Sequence, residues 1–208
     1  MSYKNNKYQV IRGVISEELA DVCLRYLAIS HNADAYLINK NITNENNVLI
    51  GNFKDAQVPN SYAKYGDRLM ESLLIQTIPL MEKETGLKLI PTYSYCRLYK
   101  KGNVLKRHKD RPSCEISTTL NLGGDEWSIY LSSSSKDNIS NSPKEIKIDL
   151  KQGDMLIYSG CELEHWRDVF EGNVCGQVFL HYNHADGQFA KTNILDKRPM
   201  LGVPKLNV

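Results

Sequence analysis

The hydrophobic and polar positions of this chain fall into two textures. The first half carries helical spacing and the second half a series of short apolar runs. "YQVIRGVI" (8–15) is rich in β-branched residues, has Gly13 as its only breaker, and predicts a strand. Ser16 then caps a helix, with Glu17 and Glu18 near its positive dipole end. Leu19, Val22, Cys23, Tyr26 and Leu27 recur at helical spacing and give that helix one apolar face. The stretch 30–60 is polar and Asn-rich and reads as a long loop with short extended pieces such as "VLIGNF". A second helix is expected over about 61–85, with Leu69, Leu73, Ile78 and Met81 inward, a kink at Pro79 and an end at Gly86.

From Leu87 onward the period shortens. "LKLIPTYSYCRLY", "EISTTLNL", "WSIYLS", "KEIKIDL", "DMLIYSG" and "CGQVFLHYN" are β-rich, and "KKGN", "LGGD", "KQGD" and "FEGN" supply turns between them. Many short strands in series predict a sandwich or barrel rather than βαβ units. "SSSSKDNISNSPKE" (132–145) is a polar insertion, and 191–208, with Pro199 and Pro204, is a tail expected to wrap the surface. The expected organisation is one domain over 1–208: a strand and helical support in 1–86, a β-core in 87–184 and a tail in 185–208.

Composition narrows the class without naming a chemistry. A 208-residue chain can bury a real core, and 41% hydrophobic with 24% charged residues is ordinary for a soluble globular protein. A net charge of only +2 gives no global nucleic-acid footprint. The N-terminus lacks an apolar signal region, and no apolar run is long enough to span a bilayer. Cys23, Cys96, Cys114, Cys161 and Cys175 are scattered, odd in number and form no C-x-x-C, so a reducing cytoplasm is the expected location. Oligomeric state is not legible.

The candidate chemistry lies in "LKRHKDRPSCEIS" (105–117). His108 and Asp110 are two apart and face one way on an extended backbone, as half of a metal site or as an ordinary strand ion pair. His165 follows "DMLIYSG" much later in the chain. Two histidines and one carboxylate on a β-core suit a facial Fe(II) site with open positions for substrates and O₂. His31 carries no pattern, and His181 and His184, at the end of the last strand, read as structural or surface residues. Lys100, Lys101, Lys106, Arg107, Lys109 and Arg111 crowd cations near His108, as a solvated hairpin or as a lure for an acidic ligand. Trp166, directly after His165, faces away from it on a strand and is expected to pack; Trp127 belongs to core or rim.

Three linked motifs extend this pattern: "CRLYKKGNVLKRHKDR", "TTLNLGGDEW" and "LKQGDMLIYSGCELEHW", in that order. Over roughly 89–183 the chain resembles the 2-oxoglutarate- and Fe(II)-dependent oxygenases, most closely the prolyl-4-hydroxylase-like branch. The resemblance implies a mostly β fold, a double-stranded β-helix (a jelly-roll variant) packed against the N-terminal helices, in agreement with the strand series. It implies Fe(II) held by His108, Asp110 and His165, with 2-oxoglutarate and O₂ as cosubstrates. Tyr99 matches the family tyrosine that contacts 2-oxoglutarate; its bland alternative is a half-buried strand aromatic. The family usually places Lys or Arg nine or ten residues after the second histidine, where this chain has Val174 and Cys175. A buried dicarboxylate still needs a cation. Arg167 and Arg97 are the substitutes, each with a surface role as its alternative, and Gln177 offers a hydrogen bond.

The implied activity is hydroxylation of a C–H bond in a prolyl or other protein side chain, a free amino acid or another small molecule, with succinate and CO₂ as coproducts. A nucleobase substrate is less favoured because the net charge is near neutral. The rivals are a non-catalytic jelly-roll binding module and a metal-dependent hydrolase or isomerase on a cupin-like barrel.

Overall fold

The computed structural model describes residues 2–133 and 144–205. After a short helix α1 (Tyr3–Asn6), β1 (Tyr8–Ile11) ends sooner than the 8–15 expected, because Gly13 turns the chain with φ 60°. Ser16 caps α2 (Glu17–Asn39) by accepting from the Leu19 N–H at 3.2 Å. This helix continues ten residues past the expected start of the loop, and His31 sits on it. The extension is held by tertiary contacts. Asp34 faces inward and accepts from the Tyr62 hydroxyl at 2.5 Å and the Gly51 N–H at 2.8 Å. Hydrophobic spacing does not register such an anchor.

The single helix expected over 61–85 is instead a strand and two helices. Residues Tyr62–Tyr65 form β2, and Asp67 caps α3 (Arg68–Gln76) by accepting from the N–H groups of Leu69 and Met70. The ring of Pro79 cannot donate back along the helix, and α4 (Ile78–Thr85) starts as a separate element. Gly86 closes it with φ 72°, the left-handed cap expected there.

The remaining strands are β3 (Leu89–Lys100), β4 (Leu105–His108), β5 (Ile116–Gly124), β6 (Ile129–Ser133), β7 (Lys144–Ile148), β8 (Met155–Ser159), β9 (His165–Arg167) and β10 (Val174–His184). They form two antiparallel sheets, ordered β1-β8-β5-β10-β3-β2 and β4-β9-β6-β7, a sandwich as the strand series predicts and the jelly-roll arrangement that the family resemblance implies. The polar insertion lies mostly outside the described residues; its ends pair as Ser132 with Glu145 and Ser133 with Lys144.

Strand parity divides the large sheet into two faces. Cys96, Leu120, Leu122, Ile157, Val178, Leu180 and Tyr182 join Ala20, Cys23, Leu27, Met70 and Leu74 of the helices in one core. The alternate positions face the smaller sheet. On β3 these are Tyr93, Tyr95, Arg97 and Tyr99, paired in register with His181, Phe179, Gln177 and Cys175 of β10. The helices thus brace one side of the sheet, and the other side is free to build a site.

Candidate metal and cosubstrate site

His108 and His165 are direct cross-strand partners on β4 and β9, so their rings share one face, with centroids 4.2 Å apart. Each ring is fixed through Nδ1. His108 Nδ1 lies 2.7 Å from the Lys106 carbonyl, and His165 Nδ1 lies 3.2 Å from the Leu163 carbonyl. A carbonyl only accepts, so both Nδ1 atoms carry a proton, and in the neutral tautomer this selects, Nε2 is the atom that bears the lone pair. Asp110 Oδ1 is 3.7 Å from His108 Nε2 and 3.5 Å from His165 Nε2. The three ligating atoms converge within 4.8 Å of one another, bringing together the trio anticipated from the sequence.

Burial alone would raise the Asp110 carboxyl. Hydrogen bonding to and charge on His165, the charge of His181 and the Ser117 hydroxyl outweigh it, and hold the group well below the usual carboxylate range. Burial, then the neighbouring His165, pushes His108 down and favours the neutral ring. A carboxylate beside two imidazoles is a donor set for a first-row divalent metal.

These residues open onto a cavity of about 370 Å³, whose wall includes Tyr99, Arg97, Tyr158 and Phe179. The two candidate arginines differ. Arg97 pairs with Asp55 at 2.5 Å, donates to Gln57 Oε1 and lies over the rings of Tyr95 and Tyr99. Arg167 is 1% exposed yet, among the described residues, has no carboxylate partner. It donates to the Trp127 carbonyl and to Thr119 Oγ1 at 3.3 Å, and its Nε has no partner. Burial lowers its pKa from the ordinary guanidinium value. The Tyr99 hydroxyl is likewise buried without a partner. Gln177 is occupied within the protein: its Oε1 accepts from Thr119 at 3.0 Å and its amide donates to Asn121 and Cys175. Arg167 and Gln177 lie outside the cavity wall, in this polar cluster behind it.

Sequence reading missed Thr119, Gln57 and Asp55. Thr119 was findable by parity from Ser117 on β5. Gln57 and Asp55 sit in an irregular segment that gives no periodic signal, and Gln57 Nε2 reaches 3.0 Å from His108 Nε2. His181 is buried rather than superficial, wedged at 4.5 Å against Tyr93 and lining the cavity. Trp166 does turn away, stacking on Tyr130 under the Arg107 guanidinium. Trp127 packs against Tyr99 and Phe170. Part of the basic hairpin is neutralised, Arg107 by Glu145 and Glu164 and Arg111 by Asp196.

No protein-family model matches the chain, and no curated protein matches it by sequence. Solved structures do match it. HygX from Streptomyces hygroscopicus, with nickel and 2-oxoglutarate bound, superposes with TM-score 0.63 at 13% identity, over 88% of this chain and 85% of that one. The non-heme alpha ketoglutarate dependent epimerase SnoN from nogalamycin biosynthesis gives 0.63 at 13%, over 98% and 92%. A prolyl-4-hydroxylase from Pseudomonas putida gives 0.57 at 12%, over 88% and 95%. The chain therefore shares the double-stranded β-helix of these 2-oxoglutarate-dependent enzymes and of the prolyl-4-hydroxylase, the fold that its strands and motif order led us to expect.

Proposed function

We propose that this protein is an Fe(II)- and 2-oxoglutarate-dependent oxygenase that hydroxylates a C–H bond. One observation carries the reading: two imidazoles and one carboxylate converge at a cavity whose wall holds the Tyr99 hydroxyl, without a partner among the described residues, and behind which lies the buried Arg167, with no carboxylate partner among them. The donor set fits Fe(II), and the phenol and guanidinium fit a dicarboxylate. HygX, of the same fold, is described with nickel and 2-oxoglutarate bound.

In this reading His108, Asp110 and His165 hold the metal. Arg167 pairs with the far carboxylate of 2-oxoglutarate after releasing the Trp127 carbonyl, and Tyr99 donates a hydrogen bond beside it. Bound Fe(II), with 2-oxoglutarate and O₂, supplies the oxidising chemistry that converts C–H to C–OH and releases succinate and CO₂. The chain's own residues do the rest. The Lys106 and Leu163 carbonyls keep both imidazoles in the ligating tautomer. Leu105, Ile129 and Phe179 exclude water.

The substrate end is walled by aromatic rings with their hydroxyls turned into the protein. Tyr65 donates to Asp196, Tyr95 to Asp55, and Tyr93 lies 3.0 Å from Cys114 Sγ. Ring faces bordering a cavity suit a substrate with a saturated C–H face, either a small molecule or a protein side chain such as prolyl. The five cysteines are free thiols, which suits a reducing cytoplasm, and among the described residues no helix is long and apolar enough to cross a membrane.

The test is O₂- and Fe(II)-dependent succinate formation from 2-oxoglutarate, screened against peptide, amino-acid, small-molecule and nucleic-acid pools. Activity lost in His165→Ala supports the reading. Metal binding without succinate in any pool would make the protein a binding module instead.

A further inference from the structure

The second oxygen of Asp110 is more closely held than the first, which only approaches His165 at 3.5 Å and His108 at 3.7 Å. Ser117 Oγ lies 2.8 Å from Asp110 Oδ2, 3.0 Å from His181 Nδ1 and 2.9 Å from the Cys114 carbonyl. The hydroxyl has one proton and two acceptors in reach. The charged oxygen takes it, because charge-assisted hydrogen bonds are roughly twice as strong as neutral ones. Ser117 is then free to accept, and His181 donates to it through Nδ1–H. The His181 ring is clamped by Tyr93, its register partner on β3. On the remaining side the backbone of Gly160 closes in. Asp110 N–H donates to the Gly160 carbonyl at 2.8 Å, and a Cβ at Gly160 would collide with Asp110 Oδ2, Ser117 Oγ and the Cys114 carbonyl.

We propose that Ser117 and His181 are positioning residues that restrict Asp110 to binding the metal through Oδ1 alone. The inference rests on the metal-site reading above. Its consequence is a count of coordination positions. A one-oxygen carboxylate and two imidazoles would occupy three positions of a six-coordinate ion and would leave the others to the cosubstrates. An Asp110 free to rotate could bind through both oxygens and take one of those positions.

The experiment uses the full chain without oxygen or cosubstrate. Mn(II) affinity is read from the electron paramagnetic resonance of free Mn(II), and coordination from the visible absorption of the Co(II) form. Ser117→Ala should weaken Mn(II) binding about 10- to 100-fold, the usual effect of removing a ligand's hydrogen-bond partner, and change the Co(II) spectrum. His181→Phe, which keeps the ring against Tyr93 but removes the donor, should move both in the same direction by less. Thermal unfolding of the metal-free variants confirms that they are folded. A wild-type Co(II) spectrum in folded Ser117→Ala and His181→Phe, with His165→Ala losing the metal, would overturn the inference alone. Wild-type metal binding by His165→Ala would overturn the metal-site reading and this inference with it.

Discussion

Arg97 and Asp55 form an ion pair at 2.5 Å beside the cavity, whereas the equally buried Arg167 has no such partner among the described residues. The anion that completes Arg97 is part of the chain; in the proposed function the anion that completes Arg167 is the cosubstrate. Burying an unpaired charge is costly, and removing one member of a buried pair typically costs about 3–5 kcal/mol. Arg167→Ala should therefore raise the 2-oxoglutarate dissociation constant by a factor on the order of 10² or more, with metal content intact. Calorimetric titration of the Mn(II) form without oxygen measures it. Arg97→Ala should leave that constant within a few-fold of wild type and lower the melting temperature, since it strands Asp55.

Tyr99→Phe removes a hydroxyl that has no partner among the described residues, so no hydrogen bond seen in the fold is lost by the change. The cosubstrate loses one neutral hydrogen bond, a net of about 0.5–1.5 kcal/mol. The expected outcome is a rise of roughly two- to tenfold in the 2-oxoglutarate Michaelis constant with an unchanged melting temperature. An unchanged constant would remove Tyr99 from the cosubstrate site.

Asp196, which holds the cavity-lining Arg111 and Tyr65, offers a pH test. Burial would raise its carboxyl, but hydrogen bonds from Arg111, Tyr65 and Ser113 and the Arg111 charge hold it well below the ordinary carboxylate range. A depressed carboxylate contributes stability that is fully present above its unfolded value, near 3.9, and lost as pH falls toward the folded one. Asp196→Asn should melt well below wild type at pH 7, and the gap should narrow below about pH 4. Melting curves across that range check the sign; a gap that widened on acidification would rule out the ionised pair.

Trp166→Ala is the control. Trp166 follows a proposed ligand in sequence but stacks outward on Tyr130. Mn(II) affinity should stay at the wild-type value while the melting temperature falls. A loss of metal affinity would show that β9 depends on this stack to hold His165.

The short apolar runs made the strand series legible in advance, and the order of motifs named the His108, Asp110 and His165 trio through the family resemblance, while Arg167 was named with a surface role as its alternative. His108, Asp110 and the β3 row from Tyr93 to Tyr99 need only alternation to be placed. The residues that escaped depend on which strands become neighbours. Ser117 meets His181 because β5 pairs with β10, a register spanning 64 residues. Asp55 reaches Arg97 from an irregular segment, and Asp34 draws α2 onward by bonding to Tyr62. None of these long-range pairings leaves a periodic trace at either end.

The turn at Leu195, Asp196 and Lys197 has a consequence for the order in which the molecule is made. All three residues hold a left-handed backbone, with φ of 49°, 54° and 64°. Each such residue costs roughly 1–2 kcal/mol. The bonds from Asp196 to Arg111, Ser113 and Tyr65 offset that cost, and they join residues 85, 83 and 131 positions apart. On the ribosome, the proposed metal ligands and both candidate arginines are translated before the residue that fastens Arg111 and Tyr65. A nascent chain halted before Asp196 can therefore carry every proposed ligand while this part of the cavity wall is still unfastened.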